Sequence, residues 1–234
     1  MDQIAANIAA VRTRIGAACA AAGRSPHSVR LLPASKTRPV ADVLAAHAAG
    51  CRRFGENKAQ ELQAKALELA ETSSIEWVML GHLQTNKART VARFASELQS
   101  LDSLPLAAEL DRRLQSLGRR LDVLIQMNSS GEDSKFGVPP DDVVRFASAL
   151  AAFDTLRVRG LMTLALPSPD AALVAACFER MRAARERLRH AAADGQSYDE
   201  LSMGMSGDFE LAIAHGSTQV RLGTAIFGAR PNLT

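Results

Sequence analysis

Tyrosine and tryptophan are nearly absent from this 234-residue chain, which holds one of each, Tyr198 and Trp77, within an aromatic fraction of 4%. Chemistry that needs several phenols at one site has too few to draw on. Cysteine is scarce too: Cys19, Cys51 and Cys177 are odd in number and nowhere spaced C-x-x-C. That excludes a disulfide framework or a thiolate zinc site as the organising device, and it suits a reducing, cytoplasmic setting. No long apolar run of the kind that spans a membrane is present, and the first 23 residues, broken by Asp2, Arg12 and Arg14, lack the apolar stretch of an export signal. Neither membrane insertion nor secretion is expected. A net charge of +3 is too small for a nucleic-acid footprint, although a pI near 9.0 suits a phosphate-bearing ligand. Lysine is the scarce cation: Lys36, Lys58, Lys65, Lys87 and Lys135 are the only five among 28 basic residues, so a lysine here needs a reason.

The chain is 47% hydrophobic and 23% charged, enough apolar mass for a full core and too much for disorder. At roughly 200–250 residues the (β/α)8 barrel is the foremost fold that uses such a length as one unit, so a single domain over 1–234 is expected. Residues 2–22 carry Ile4, Ile8, Val11, Ile15 and Cys19 at helical spacing, with Gly23 placed to stop the helix. Beyond it, eight β-like runs alternate with segments of helical period: Val29–Ser35, Arg52–Gly55, Ile75–Gly81, Glu97–Asp102, Leu121–Asn128, Arg157–Thr163, Glu200–Gly204 and Gln219–Thr224. Pro39 and Gly50, and Pro105 and Gly118, bracket two of the helices, the second carrying Leu106, Leu110, Leu114 and Leu117. Another follows Pro139-Pro140, and a long one from Asp170 carries Leu173, Cys177, Met181, Ala184 and Leu188. Strict alternation implies parallel strands, and eight such units can close into an α/β (β/α)8 barrel with an extra N-terminal helix. An open doubly wound sheet is the alternative. In either, ligands collect at the carboxyl ends of the strands, where Lys36, Glu56, Asn57, His82, Gln84, Asp102, Asn128, Ser129, Thr163, Ser206, Gly223 and Thr224 stand.

Lys36 closes the first run, where an apolar barrel mouth disfavours the ammonium form and leaves an amine able to attack a carbonyl. The plainer reading is a lysine snorkelling to solvent. Leu201-Ser-Met-Gly-Met-Ser-Gly-Asp puts small residues between a strand and a helix starting near Asp208, so free amides and the Ser206 hydroxyl could hold a phosphate. The plainer reading is a helix cap. Gly223 and Thr224 offer a second amide and hydroxyl after the eighth strand, and loops after the last two strands are where barrels of this kind commonly bind phosphate. His82 has no partner at metal-ligand or triad spacing, so a metal site is not expected. The arginine-rich run from Glu179 to His190 reads as a solvated helix face because Glu179 and Glu186 interrupt it.

Ala34-Ser-Lys-Thr, Phe54-Gly-Glu-Asn with the later Gln60-Glu61, Gly81-His-Leu-Gln-Thr-Asn-Lys, Leu201-Ser-Met-Gly-Met-Ser and Arg221-Leu-Gly-Thr-Ala-Ile-Phe-Gly together resemble the pyridoxal phosphate homeostasis protein family. The resemblance runs from the leading helix to about Arg230. It implies a fold similar to the N-terminal barrel of alanine racemase and pyridoxal 5′-phosphate as cofactor. It further implies a Schiff base on Lys36, phosphate contacts from Ser206, Gly223 and Thr224, Arg221 facing the pyridine nitrogen, Asn57 lining the ring, and backbone from Met203 and Gly204. Val40 stands where the racemases place a phosphate-contacting tyrosine. An arginine opposite the pyridine nitrogen weakens the ring as an electron sink. The racemases' opposite-face tyrosine comes from a second domain for which 234 residues leave no room.

The expected function is therefore a monomeric carrier of pyridoxal phosphate in vitamin B6 homeostasis, exchanging it with apo-enzymes. A pyridoxal-phosphate racemase or decarboxylase using His82 or a partner's tyrosine is the alternative, and a Schiff-base aldolase a more distant one. Lys87 and Lys135 are candidates for a second cofactor site.

Overall fold

Alternating apolar positions and glycine or proline punctuation resolve into a regular β/α succession. The computed structural model describes residues 2–72, 74–132, 136–192 and 197–229, and Lys135 lies outside them. Helix α1 (Asp2–Ala21) leads. It is followed by β1 (Arg30–Pro33), α2 (Val40–Ala48), β2 (Arg53–Glu56), α3 (Ala59–Glu68), β3 (Glu76–Met79), α4 (Ala88–Phe94), β4 (Glu97–Leu101) and α5 (Leu104–Leu117). The second half runs β5 (Leu121–Gln126), α6 (Val143–Leu150), β6 (Leu156–Met162), α7 (Ala171–Ala191), β7 (Glu200–Ser202), α8 (Phe209–Ala214), β8 (Gln219–Leu222) and α9 (Thr224–Phe227).

All eight strands are parallel, in the order β1-β8-β7-β6-β5-β4-β3-β2. A parallel bridge between Ala34 and Gly55, with the Ser35 amide donating to the Gly55 carbonyl at 2.9 Å, joins β1 to β2. The fold is thus the expected (β/α)8 barrel with its extra helix. Ile8, Val11, Ile15 and Cys19 bury one face of α1, which packs against α2, α8 and α9.

Local expectations shift, and β1, β3, β5 and β7, like β8, each end two residues before the expected run does. β8 stops at Leu222 and Thr224 opens α9, because the chain must turn there and Asn7 of α1 donates from Nδ2 to the Ile226 carbonyl at 2.8 Å. On α7 the buried stripe runs through Val174, Cys177, Phe178, Met181, Ala184 and Leu188, whereas Leu173 is 50% exposed. At 3.6 residues per turn a strict four-residue step drifts off the buried face, so Val174 rather than Leu173 continues the stripe. On α5, Leu117 is the last helical residue before the Gly118 stop and is 45% exposed. The arginines of α7 are tied to neighbouring groups, Arg180 to the Ser129 carbonyl at 2.6 Å and Arg189 to Asp199 at 2.5 Å.

Gly160 marks the tightest strand crossing: a Cβ there would lie 2.0 Å from the Glu200 carbonyl oxygen of β7. Gly118, with φ 61° at the end of α5, has open space around it. Gly160→Ala should therefore cost about 2–3 kcal/mol through forced displacement of β7, and Gly118→Ala about 1–2 kcal/mol from its left-handed backbone alone. Urea unfolding of the two variants checks the order, and equal losses would contradict the crowding at β6 and β7.

Candidate functional site

The strands' inward faces show how the mouth of the barrel is built. In a parallel sheet covered on both faces near-continuous apolar runs are the rule, yet β2, β4 and β8 alternate. Phe54, Leu98, Val220 and Leu222 face the helices within the main core. Leu32, Val78 and Leu80 make a small apolar cluster of their own, with Ala34 against it. Much of the remaining interior is polar, with Leu124 and Met162 buried outside the main core. Arg53 donates to Glu97 at 2.5 Å and to Gln219 Oε1 at 3.3 Å. Gln99 donates from Nε2 to Glu97 Oε1 at 2.5 Å and accepts at Oε1 from the Ser202 hydroxyl at 2.6 Å. Ser202 Oγ in turn accepts from Arg221 Nη1 at 2.7 Å.

This column supports Arg221 from below. Its second terminal nitrogen donates to the Thr163 carbonyl at 2.6 Å, and the residue is only 5% exposed. Burial lowers its pKa to about 10, with the carboxylate of Asp208 acting the other way, so the guanidinium keeps its charge at neutral pH. Burying a cation is tolerable only where its donors are met and a counter-charge is near. Ser202, Thr163 and Asp208 supply those conditions.

Above the column, at the carboxyl ends of the strands, lies an open cavity of about 600 Å³, within the ~300–1,000 Å³ range of small-molecule sites. Lys36, Asn57, Ser206, Arg221, Gly223 and Thr224 all line it, together with His82, Gln126, Phe136 and Met162. Met203 and Gly204 do not. Met203 is fully buried in the core, and its amide donates to the Gln219 carbonyl at 3.1 Å. Gly204 lies behind the lining, where a Cβ would meet Ala212 Cβ at 2.8 Å and Phe209 Cα at 3.0 Å. Its carbonyl accepts from the Arg221 amide at 3.0 Å.

Two turns face each other across one side of the cavity. Asp208 Oδ1 accepts from the Met205 amide at 2.6 Å, closing the first, and Ser206 Oγ accepts from the Ala225 amide at 3.3 Å, linking it to the second. The amides of Ser206, Gly207, Gly223 and Thr224 have no protein acceptor among the described residues. Unmet amides beside two hydroxyls form a concave donor surface suited to an anion. The lysine amine on the adjoining strand end adds a group that can form an imine. Anionic and carbonyl functions on one small molecule fit this donor set, as pyridoxal 5′-phosphate requires.

His82 acquires a partner that its spacing in sequence did not show: Nδ1 lies 3.1 Å from Asp102 Oδ2, and the ring stacks on Phe136 at 3.8 Å. Burial pushes the Asp102 carboxyl up, with His82 opposing. Among the described residues no group of three or more His, Cys, Asp or Glu could hold a metal. Tyr198 is buried just ahead of the amino end of β7, whereas the cavity opens at the carboxyl ends. Lys87 borders a separate depression of about 270 Å³ with Lys58, Asn57 and His82. No helix among the described residues is long and apolar enough to cross a membrane. The missed feature is the polar column, whose signal was the alternation Arg53-Phe54-Gly55, Glu97-Leu98-Gln99 and Gln219-Val220-Arg221.

A parallel barrel with a lysine after β1 and amide-rich turns after β7 and β8 defines a class, and residues 1–231 match the family model for the alanine racemase N-terminal domain. The chain is 44% identical over 230 residues to the pyridoxal phosphate homeostasis protein of Pseudomonas aeruginosa, covering 98% of this chain and 97% of that one. It is 42% identical over 235 residues to the Escherichia coli K12 protein of the same name, covering 98% of each. PipY of Synechococcus elongatus, solved with PLP bound, superposes with a TM-score of 0.84 at 37% identity, over 97% of this chain and all of PipY. An alanine racemase of Clostridium difficile shares the fold at a TM-score of 0.76 and 15% identity, with this chain matching 58% of its length. The chain belongs to the pyridoxal phosphate homeostasis protein family.

Removing one end of the polar column should unbalance it. Arg53→Met leaves Glu97, 2% exposed, without its cation, and about 3–5 kcal/mol of stability should be lost. Adding Glu97→Gln should recover a large part, which denaturant unfolding of the single and double variants measures.

Proposed function

We propose that the protein binds pyridoxal 5′-phosphate as a Schiff base on Lys36 and exchanges it, serving intracellular vitamin B6 homeostasis as a carrier rather than a catalyst. The observation that carries this reading is the convergence of Lys36, Asn57, Arg221 and the unmet amides of residues 206–207 and 223–224 on one cavity. Ser206, Thr224 and those amides would hold the phosphate, Arg221 would face the pyridine nitrogen, and Asn57 would line the ring. When bound, the cofactor supplies an aldehyde for reversible imine formation. A permanent guanidinium at the ring nitrogen disfavours protonation there and so weakens the ring as an electron sink, which favours holding over turnover. The relatives' names and the PLP-bound PipY support the same assignment.

Exposed Phe136, Leu164 and Met205 rim the open cavity, a form compatible with release to apo-enzymes. One observation favours a second reading, a racemase or decarboxylase: the Asp102-paired His82 on the cavity wall could serve as an acid. Sustained, Lys36-dependent deuterium exchange at the α carbon of amino acids would establish it over the carrier.

Purified protein should take up pyridoxal phosphate with a visible absorbance band that borohydride abolishes while marking Lys36, and Lys36→Ala should lack both. Ser206→Ala and Thr224→Ala should each weaken binding about tenfold or more, from ~1.5–3 kcal/mol per hydrogen bond to a charged group. Unchanged Kd values in a titration would remove the phosphate assignment from these turns.

A further inference from the structure

Lys65 is a buried lysine in a chain that uses few, and it does not line the cavity. Its ammonium spends all three donors inside: on the Ser35 carbonyl at 2.8 Å, Glu56 Oε1 at 2.7 Å and Glu61 Oε1 at 2.8 Å. Each acceptor leads to the segment that carries Lys36. The Ser35 hydroxyl donates to Glu56 Oε1 at 2.7 Å, and the Thr37 amide donates to Glu61 Oε1 at 2.6 Å. The Arg38 amide donates to the Ser35 carbonyl at 3.0 Å, closing a four-residue turn with Lys36 and Thr37 at its centre.

Thr37 sits in that turn at φ 63°. The third position of such a turn normally goes to glycine or asparagine, because a side chain, above all a β-branched one, is strained there. An exposed threonine in this conformation needs an outside restraint, and the Glu61 carboxylate held by Lys65 provides one. Ser35 is likewise fixed at its amide by Gly55, at its carbonyl by Arg38 and Lys65, and at its hydroxyl by Glu56. Arg38 is tied to the carbonyls of Gly228 and Ala229 beyond α9. Both neighbours of Lys36 are thus clamped from the helix side while Lys36 itself faces the cavity.

We infer that Lys65, acting through Glu56 and Glu61, is a positioning residue that holds the Ser35–Arg38 turn in its strained form and thereby sets where the Lys36 amine stands in the cavity. The inference rests on Lys36 being the attachment point. It deepens that reading by assigning a role to a lysine that touches no ligand.

Two readouts test it on the folded full chain: the rate at which pyridoxal phosphate and borohydride mark Lys36, and the rate at which acetic anhydride labels the Lys36 amine in cofactor-free protein. Circular dichroism fixes a temperature at which each variant is folded. Lys65→Met should slow marking of Lys36 at least tenfold and change its labelling rate severalfold. Glu61→Gln, a change at a partly exposed residue that keeps an acceptor for the Thr37 amide, should show a smaller shift of the same sign. Thr37→Gly added to Lys65→Met should bring both rates back to within about threefold of wild type, since glycine adopts the left-handed conformation without restraint. A folded Lys65→Met variant with wild-type rates, or a deficit that Thr37→Gly leaves untouched, overturns the inference. Should Lys65→Met fail to fold, wild-type rates in Glu61→Gln would do the same. If the wild type is never marked at Lys36, the attachment reading fails, and the anhydride labelling of the same variants still decides whether the clamp exists.

Discussion

The structure depends on how the barrel's interior is filled. A closed eight-stranded parallel barrel leaves a narrow interior that side chains must occupy, and such barrels are usually packed with branched aliphatics. Here one part of the interior is Leu32, Val78 and Leu80, and another is a hydrogen-bonded series from Arg53 through Glu97, Gln99 and Ser202 to Arg221. Buried polar groups tolerate little displacement, because each lost partner costs about 1–3 kcal/mol. The series therefore acts as a rigid floor. It places a charged guanidinium under the mouth without needing a carboxylate in direct contact with it.

The walls of the mouth are set by close backbone approaches. Gly81 has no room for a side chain, since a Cβ would come within 2.2 Å of the Asn57 carbonyl oxygen, and a Cβ on Gly55 would lie 2.4 Å from Leu80 Cδ1. These contacts bring the ends of β2 and β3 together and hold Asn57 at the cavity edge. On the other side, the link from Ser206 to Ala225 ties the turns after β7 and β8 into one surface. Beside Lys36 the wall uses a strained backbone, at Thr37, a departure of about 1–3 kcal/mol that persists where surrounding contacts over-determine it. Floor, walls and turn together fix the relative places of the donors around the cavity.

Much of this was legible along the chain. The β/α alternation, the glycine stops after α1, α2 and α5 and the strand-end positions of Lys36, Asn57, Ser206, Gly223 and Thr224 all follow from local pattern, because helix and strand periods and turn chemistry are short-range properties. Boundaries were less legible. The local pattern carries β1, β3, β5, β7 and β8 two residues too far and puts Leu173 and Leu117 on buried faces, because where a strand stops pairing and which residues a helix covers are decided by what packs against them.

By itself the sequence determined the class of fold, the end of the barrel where chemistry gathers and the scarcity of lysine and tyrosine that makes Lys36 and Tyr198 informative. Tertiary structure decided which polar residues meet. His82 finds Asp102 across 20 residues, Gln99 finds Ser202 across 103, and Lys65 reaches back 30 to Ser35. Such pairings depend on barrel closure and strand register, which bring distant segments to hydrogen-bonding distance. No spacing along the chain encodes them locally, and so the column beneath Arg221 and the clamp beneath Lys36 became visible only in three dimensions.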